Sequence, residues 1–140
     1  MVRSIIRSSF SRRGFLSAAS ALAGAAVLGS TASVFAAEGK VSGECAKHCR
    51  ECAEECKKCS DCCKNDNPKC ADMCEACHHA CLACATMCEK QLAGAYDMCV
   101  ECENMCLLCA DMCDKCGKDC CKQCAKMCRD CAKMCKASRS

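Results

Sequence analysis

Cys70-Ala71-Asp72-Met73-Cys74-Glu75-Ala76-Cys77-His78-His79-Ala80-Cys81-Leu82-Ala83-Cys84-Ala85-Thr86-Met87-Cys88 sets six cysteines at steps of 4, 3, 4, 3 and 4 residues. Alternating steps of four and three keep one narrow stripe of an α-helix turned toward its neighbours. The same rhythm carries Cys45, Cys49, Cys52, Cys56 and Cys59, then Cys99, Cys102, Cys106, Cys109, Cys113 and Cys116, then Cys121, Cys124, Cys128, Cys131 and Cys135. Between them stand mostly Ala, Lys, Glu, Asp, Met and Arg. Most of these favour helix, and the charged ones suit a solvated face.

The breaks between the stripes are legible. Asn65-Asp66-Asn67-Pro68 is a turn signal, with Pro68 suited to the first turn of the next helix. A second break falls around Gly94, with Tyr96 opening the third helix. Gly117-Lys118-Asp119 interrupts the rhythm and Cys120-Cys121 shifts its phase, which predicts a tight turn; one long helix with a stutter is the competing reading. An internal repeat supports the turn. Cys45, Cys49, Cys52, Cys56 and Cys59 recur at an offset of 57, and Cys74, Cys77, Cys81, Cys84 and Cys88 at an offset of 47. Two helical hairpins with one apolar stripe per helix predict an all-α fold, an antiparallel four-helix bundle with a Cys-lined core over residues 37–140.

Cysteine has to fill that core. From Ala37 onward there is no Ile, Phe or Trp, and the aliphatic or aromatic residues larger than Ala are Val41, Leu82, Leu92, Tyr96, Val100, Leu107 and Leu108. A domain of about 100 residues normally buries many more large apolar side chains. Cysteine, a small and readily buried hydrophobe, is the abundant candidate.

Residues 1–36 read instead as an export signal. They contain no cysteine and no acid. Ser11-Arg12-Arg13-Gly14-Phe15-Leu16 fits the twin-arginine pattern, an Ala-rich apolar stretch follows to about Val34, and Val34-Phe35-Ala36 suits cleavage before Ala37. The stretch is marginal in length and rich in Ala, Ser and Gly, so no permanent membrane anchor is expected. Twin-arginine export carries folded proteins, which would spare 25 thiols from scrambling in an oxidising periplasm. Without the signal the net charge falls from +3 to about −1, which gives no reason to expect a nucleic-acid partner.

Inward rows of thiols from four helices imply a soft metal. Cu(I) suits thiolate and is content with two or three sulfurs. Residues at i and i+4 share a face, so Cys45/Cys49, Cys52/Cys56, Cys84/Cys88 and Cys109/Cys113 could each clamp an ion, with sulfurs of facing helices bridging neighbours. One ion per two thiolates gives about a dozen ions, more if sulfurs bridge. All 25 cysteines are candidate ligands; of the adjacent pairs Cys62-Cys63 and Cys120-Cys121, one member each can point straight inward. Zinc or cadmium sequestration is the nearest alternative. Four thiolates per Zn²⁺ leave two negative charges per site, and such sites would repel one another in a channel without Lys or Arg. A disulfide scaffold meets an odd cysteine count and a continuous stripe that exceeds any stapling need. Iron–sulfur ligation uses loops, commonly ending in Cys-Pro, and no Cys precedes Pro here.

The four Cys-striped helices behind a twin-arginine signal resemble the exported copper storage proteins. Cys106-Leu107-Leu108-Cys109-Ala110-Asp111-Met112-Cys113-Asp114-Lys115-Cys116-Gly117 is similar to that family's third helix, and Cys121-Lys122-Gln123-Cys124-Ala125-Lys126-Met127-Cys128 looks like the start of its fourth. The resemblance covers essentially the whole of 37–140. It implies Cu(I) held by core cysteines, a homotetramer in some members, and a role in supplying copper to exported cuproenzymes, with copper chaperones as possible partners, or in detoxification. The connection after Gly117 is shorter than the family's, so no ligand pairing carries over to Cys116, Cys120 and Cys121.

Each of seven methionines, Met73, Met87, Met98, Met105, Met112, Met127 and Met134, directly precedes a cysteine. Such positions border the core, where Met fills the gap beside small Cys side chains. A sharper reading gathers His48, Met87, Met98 and Met134 at one end of an up-down bundle as a mouth that passes Cu(I) inward. His78 and His79 are adjacent and read as a solvated face. No Ser/His/Asp set or phosphate-cradling Gly loop is present, and no enzymatic activity is expected.

Overall fold

The structure is a computed structural model that describes Lys40–Ser140. The export-signal reading of residues 1–36 falls outside the described residues. Four helices follow: α1 (Glu44–Cys63), α2 (Pro68–Glu89), α3 (Ala95–Cys116) and α4 (Asp119–Ala137). They form an antiparallel four-helix bundle. Each helix packs on its two neighbours in the ring α1–α2–α3–α4, and the diagonal pairs make no backbone contact. No described helix is long and apolar enough to cross a membrane.

The breaks sit where the sequence places them. Pro68 is the first residue of α2, and Asn67 caps it by accepting from the backbone N–H of Cys70 at 3.2 Å. Gly94 precedes α3 at φ +85° and Gly117 ends it at φ +74°. In that left-handed conformation the Gly117 N–H bonds the Cys113 carbonyl at 3.1 Å, so the chain leaves the helix and α4 begins two residues later. The stutter reading therefore fails, because a left-handed residue cannot continue an α-helix. Helix α3 opens one residue before Tyr96, at Ala95.

The interior is made of cysteine and alanine. Every buried residue of the four helices is one or the other, except Ser60. The buried alanines directly follow cysteines of the stripe in seven cases out of eight: Ala46, Ala53, Ala71, Ala85, Ala110, Ala125 and Ala132. These small flanks let the helix backbones approach, so that short Cys side chains can meet at the centre. All seven methionines of the bundle are half-buried, and Met73, Met87, Met98, Met105, Met112 and Met127 pack against the core. On the outside, Arg50 and Glu89 form a two-bonded pair at 2.7 and 2.6 Å between α1 and α2, and Arg129 pairs with Asp114 between α4 and α3. Exposed pairs of this kind contribute about 0–1 kcal/mol each, so burial of the Cys/Ala stripe carries the fold.

Candidate metal centre

Of the 25 predicted ligands, 22 are buried at 0 or 1% exposure. Their sulfurs form a column along the bundle axis. Three of the four predicted clamps have their sulfurs within reach of a shared ion: Cys45/Cys49 at 3.7 Å, Cys52/Cys56 at 4.0 Å and Cys84/Cys88 at 4.0 Å. Cys77/Cys81 and Cys124/Cys128 add two more, at 4.0 and 3.9 Å.

Neighbouring helices interleave these pairs. Cys88 and Cys99 lie 3.4 Å apart between α2 and α3, Cys45 and Cys135 3.5 Å apart between α1 and α4, and Cys56 and Cys128 3.6 Å apart. Sulfurs also meet across the diagonals. Cys49 reaches Cys102, Cys59 reaches Cys113, and Cys77 reaches Cys128, at 3.9, 3.9 and 4.0 Å.

Groups of four sulfurs able to hold one ion recur along the column. One is Cys52, Cys81, Cys106 and Cys131, a cysteine from each helix with all sulfurs within 4.8 Å of one another. The next, Cys52, Cys77, Cys106 and Cys128, shares two of its members. The donors are therefore continuous and shared between sites. Among the described residues no Lys, Arg, His, Asp or Glu is buried, and Ser60 and Ser138 are the buried polar side chains.

Burial keeps thiols protonated where no ion replaces the proton. Desolvation is the main cause that pushes Cys63 up to about 11 and Cys88 up to about 12. It also raises Cys70 and Cys121. Hydrogen bonds from neighbouring thiols move other members the opposite way: Cys135 is the first cause that lowers Cys99 to about 7, Cys109 the first that lowers Cys74 to about 5, and Cys121 the first that lowers half-buried Cys116.

Two predicted ligands stand apart. Cys62 and Cys120 are joined by a disulfide between the last turn of α1 and the first turn of α4. Cys62 is exposed and Cys120 half-buried, while their sequence neighbours Cys63 and Cys121 point into the column with sulfurs 3.4 Å apart. In this form neither sulfur is a thiolate donor. The other 23 cysteines are free thiols, so a disulfide scaffold is not what holds the bundle together.

Of the four residues proposed for a mouth, the structure brings His48 and Met134 together. His48 and Met134 line an outer groove of about 410 Å³ between α1 and α4, together with Met127. Met87 packs toward Gly94 at the α2–α3 turn. His78 bonds through Nδ1 to the Ala53 carbonyl of α1 at 2.7 Å, a structural contact that the reading of a solvated face did not foresee. His79 is exposed beside Glu75.

The arrangement is a cysteine-rich helical bundle whose buried sulfurs stand close enough together to bind metal ions. Against protein-family models, curated proteins and solved structures, nothing matches this chain.

Proposed function

We propose that the bundle stores Cu(I), holding many ions between core thiolates, and that it acts as a reservoir or sink for copper and not as an enzyme. The observation that carries this reading is a continuous column of buried sulfurs in which no charged side chain of the described residues is buried. A filled column has to balance its own charge. Two thiolates on one Cu(I) leave a single negative charge, and bridging sulfurs bring the sum toward neutral. Four thiolates on one Zn²⁺ leave two negative charges per site with no buried cation to offset them.

Zinc or cadmium is the second reading, and one observation favours it. A tetrahedral ion with bonds of about 2.3 Å wants sulfurs about 3.8 Å apart, and many column distances fall near that value, such as Cys77–Cys106 at 3.8 Å. Shared corners weigh against it. Cys52 and Cys106 belong to two successive quartets, so filling both with four-coordinate ions requires these thiolates to bridge. Ions satisfied by two or three shared sulfurs can fill the column throughout.

The export reading of residues 1–36 accords with this function. A store loaded outside the cytoplasm has to reach an oxidising compartment with its thiols intact, and export of the folded bundle achieves that. Anaerobic titration of the reduced protein with Cu(I), in competition with a chelator of known affinity and with zinc run in parallel, tests the proposal. Tight uptake of about a dozen or more Cu(I) ions per chain is expected. Uptake of a few zinc ions in preference to copper would overturn it.

A further inference from the structure

The two ends of the sulfur column differ. At one end Cys45, Cys88, Cys99 and Cys135 are fully buried. The ends of the described chain cover them. Val41 is buried, and its carbonyl accepts from Gln91 Nε2 at 3.1 Å. The Ser42 N–H donates to the Ser138 carbonyl at 3.3 Å. The Ser138 hydroxyl donates to the Cys135 carbonyl at 2.8 Å and lies 3.7 Å from the Cys99 sulfur. Arg139 then pairs with Glu103 and lies over the Tyr96 ring. An ion arriving here would have to displace this cover.

The opposite end, at the α1–α2 and α3–α4 turns, holds Cys116. Among the described residues it is the one free cysteine that is not fully buried. Its sulfur lies 3.9 Å from Cys63, and Cys63 lies 3.4 Å from Cys121. From Cys121 the next steps are Cys59 at 3.8 Å and Cys70 at 3.9 Å. A chain of short sulfur-to-sulfur steps thus runs from the surface into the column. The Cys62–Cys120 disulfide belongs to this same end, each partner adjacent in sequence to Cys63 or Cys121.

We propose that the Cys116 end is the port by which Cu(I) reaches the column, and that Cys62 and Cys120 form its redox gate. The inference rests on the Cu(I)-storage reading. With the disulfide reduced, Cys62 and Cys120 join Cys116 as accessible donors that take Cu(I) from a carrier and pass it to Cys63 and Cys121. With the disulfide formed, two of the three donors are withdrawn and α1 is tied to α4.

The gate opens by exchange with a dithiol reductant. A thiolate of the reductant attacks one sulfur, the S–S bond breaks, and the second thiol of the reductant completes its own disulfide. Two electrons and two protons pass to Cys62 and Cys120. Copper stays Cu(I) throughout. Each thiol that binds it loses its proton to solvent, and the ion moves inward by forming a bond to the next sulfur as it leaves the last.

The test compares two forms of the chain, prepared anaerobically: one with the Cys62–Cys120 disulfide intact and one reduced by a dithiol that is then removed. Peptide mass mapping verifies the state of that pair and of the other thiols. Each form is mixed with the Cu(I)–bicinchoninate complex, and loss of its colour gives the loading rate and the final capacity. The reduced form is expected to load several-fold faster. A Cys62→Ser/Cys120→Ser variant is expected to load at the slow rate whatever its treatment, and Cys116→Ser to slow the reduced protein, with helical content by circular dichroism unchanged. Equal rates for the two wild-type forms at full final loading would overturn the gate and leave storage standing. No uptake of Cu(I) by either form would overturn storage itself.

Discussion

Cys49 and Cys102 place their sulfurs 3.9 Å apart although α1 and α3 face each other across the diagonal of the bundle, without backbone contact. A bundle with Leu or Ile at these positions needs wider helix spacing to seat its core. Here the Cys and Ala side chains let all four helices close until sulfurs from opposite helices meet at the centre. Enlarging a single position should therefore harm the apo protein even though it adds apolar surface. Cys102→Leu is expected to destabilise the bundle by about 1–3 kcal/mol through overpacking. A lower urea midpoint for the metal-free variant, measured under reducing conditions, checks this.

Gly117 offers a cleaner test of the α3–α4 turn. A Cβ added there would meet nothing within 4 Å, yet its φ is +74°. Gly117→Ala thus introduces no clash with a neighbour, and its cost is the left-handed backbone alone, about 1–2 kcal/mol. Thermal unfolding of the apo protein should show the loss. An unchanged midpoint would mean that the turn tolerates another conformation.

The sequence pattern reaches far into this structure because the stripe has a single chemical identity. A Cys at every inward position made the helix faces, their phase and three breaks readable, and Pro68, Gly94 and Gly117 act where their backbone restrictions demand. Adjacency in the chain also showed that only one of Cys62/Cys63 and one of Cys120/Cys121 could face inward. It could not show that the two outward sulfurs meet, because that depends on how the end of α1 lies against the start of α4. The cover over Cys99 and Cys135 was hidden for a related reason. Val41 and Ser138 lie at the stripe's next steps but are not cysteines, so nothing in the rhythm marks them. The Ala flanks were visible only as helix formers, and their packing role appears once the helix spacing is known.

The raised Cys63 and Cys88 thiols, one at each end of the column, each contribute stability that is lost in alkali. Cys63 and Cys88 stand at about 11 and about 12 against an ordinary 9.0. Below pH 9 both are protonated in the folded and the unfolded chain, and their contribution to stability is fully present. As pH rises past 9 the unfolded chain releases these protons while the folded one keeps them, so stability falls until the folded thiols ionise in turn. The contribution of Cys63 and Cys88 to the urea midpoint of the apo protein, read as the difference from the Cys63→Ala/Cys88→Ala variant, should drop between pH 9 and pH 11–12. The Cu(I)-loaded protein, whose thiols have already lost their protons to the metal, should show little of this dependence.

His78 separates a structural imidazole from a metal ligand. Its Nδ1 lies 2.7 Å from the Ala53 carbonyl, which can only accept, so Nδ1 carries the proton and the ring ties α2 to α1. The position follows Cys77 just as Ala71 follows Cys70 and Ala85 follows Cys84, so the ring occupies a flank beside the column and not the column itself. His78→Leu is expected to cost about 1 kcal/mol for the lost hydrogen bond and to leave the number of bound Cu(I) ions unchanged. Denaturation of the apo variant and an anaerobic Cu(I) titration give the two readings independently. A capacity lower by one ion at unaltered stability would make His78 a ligand after all.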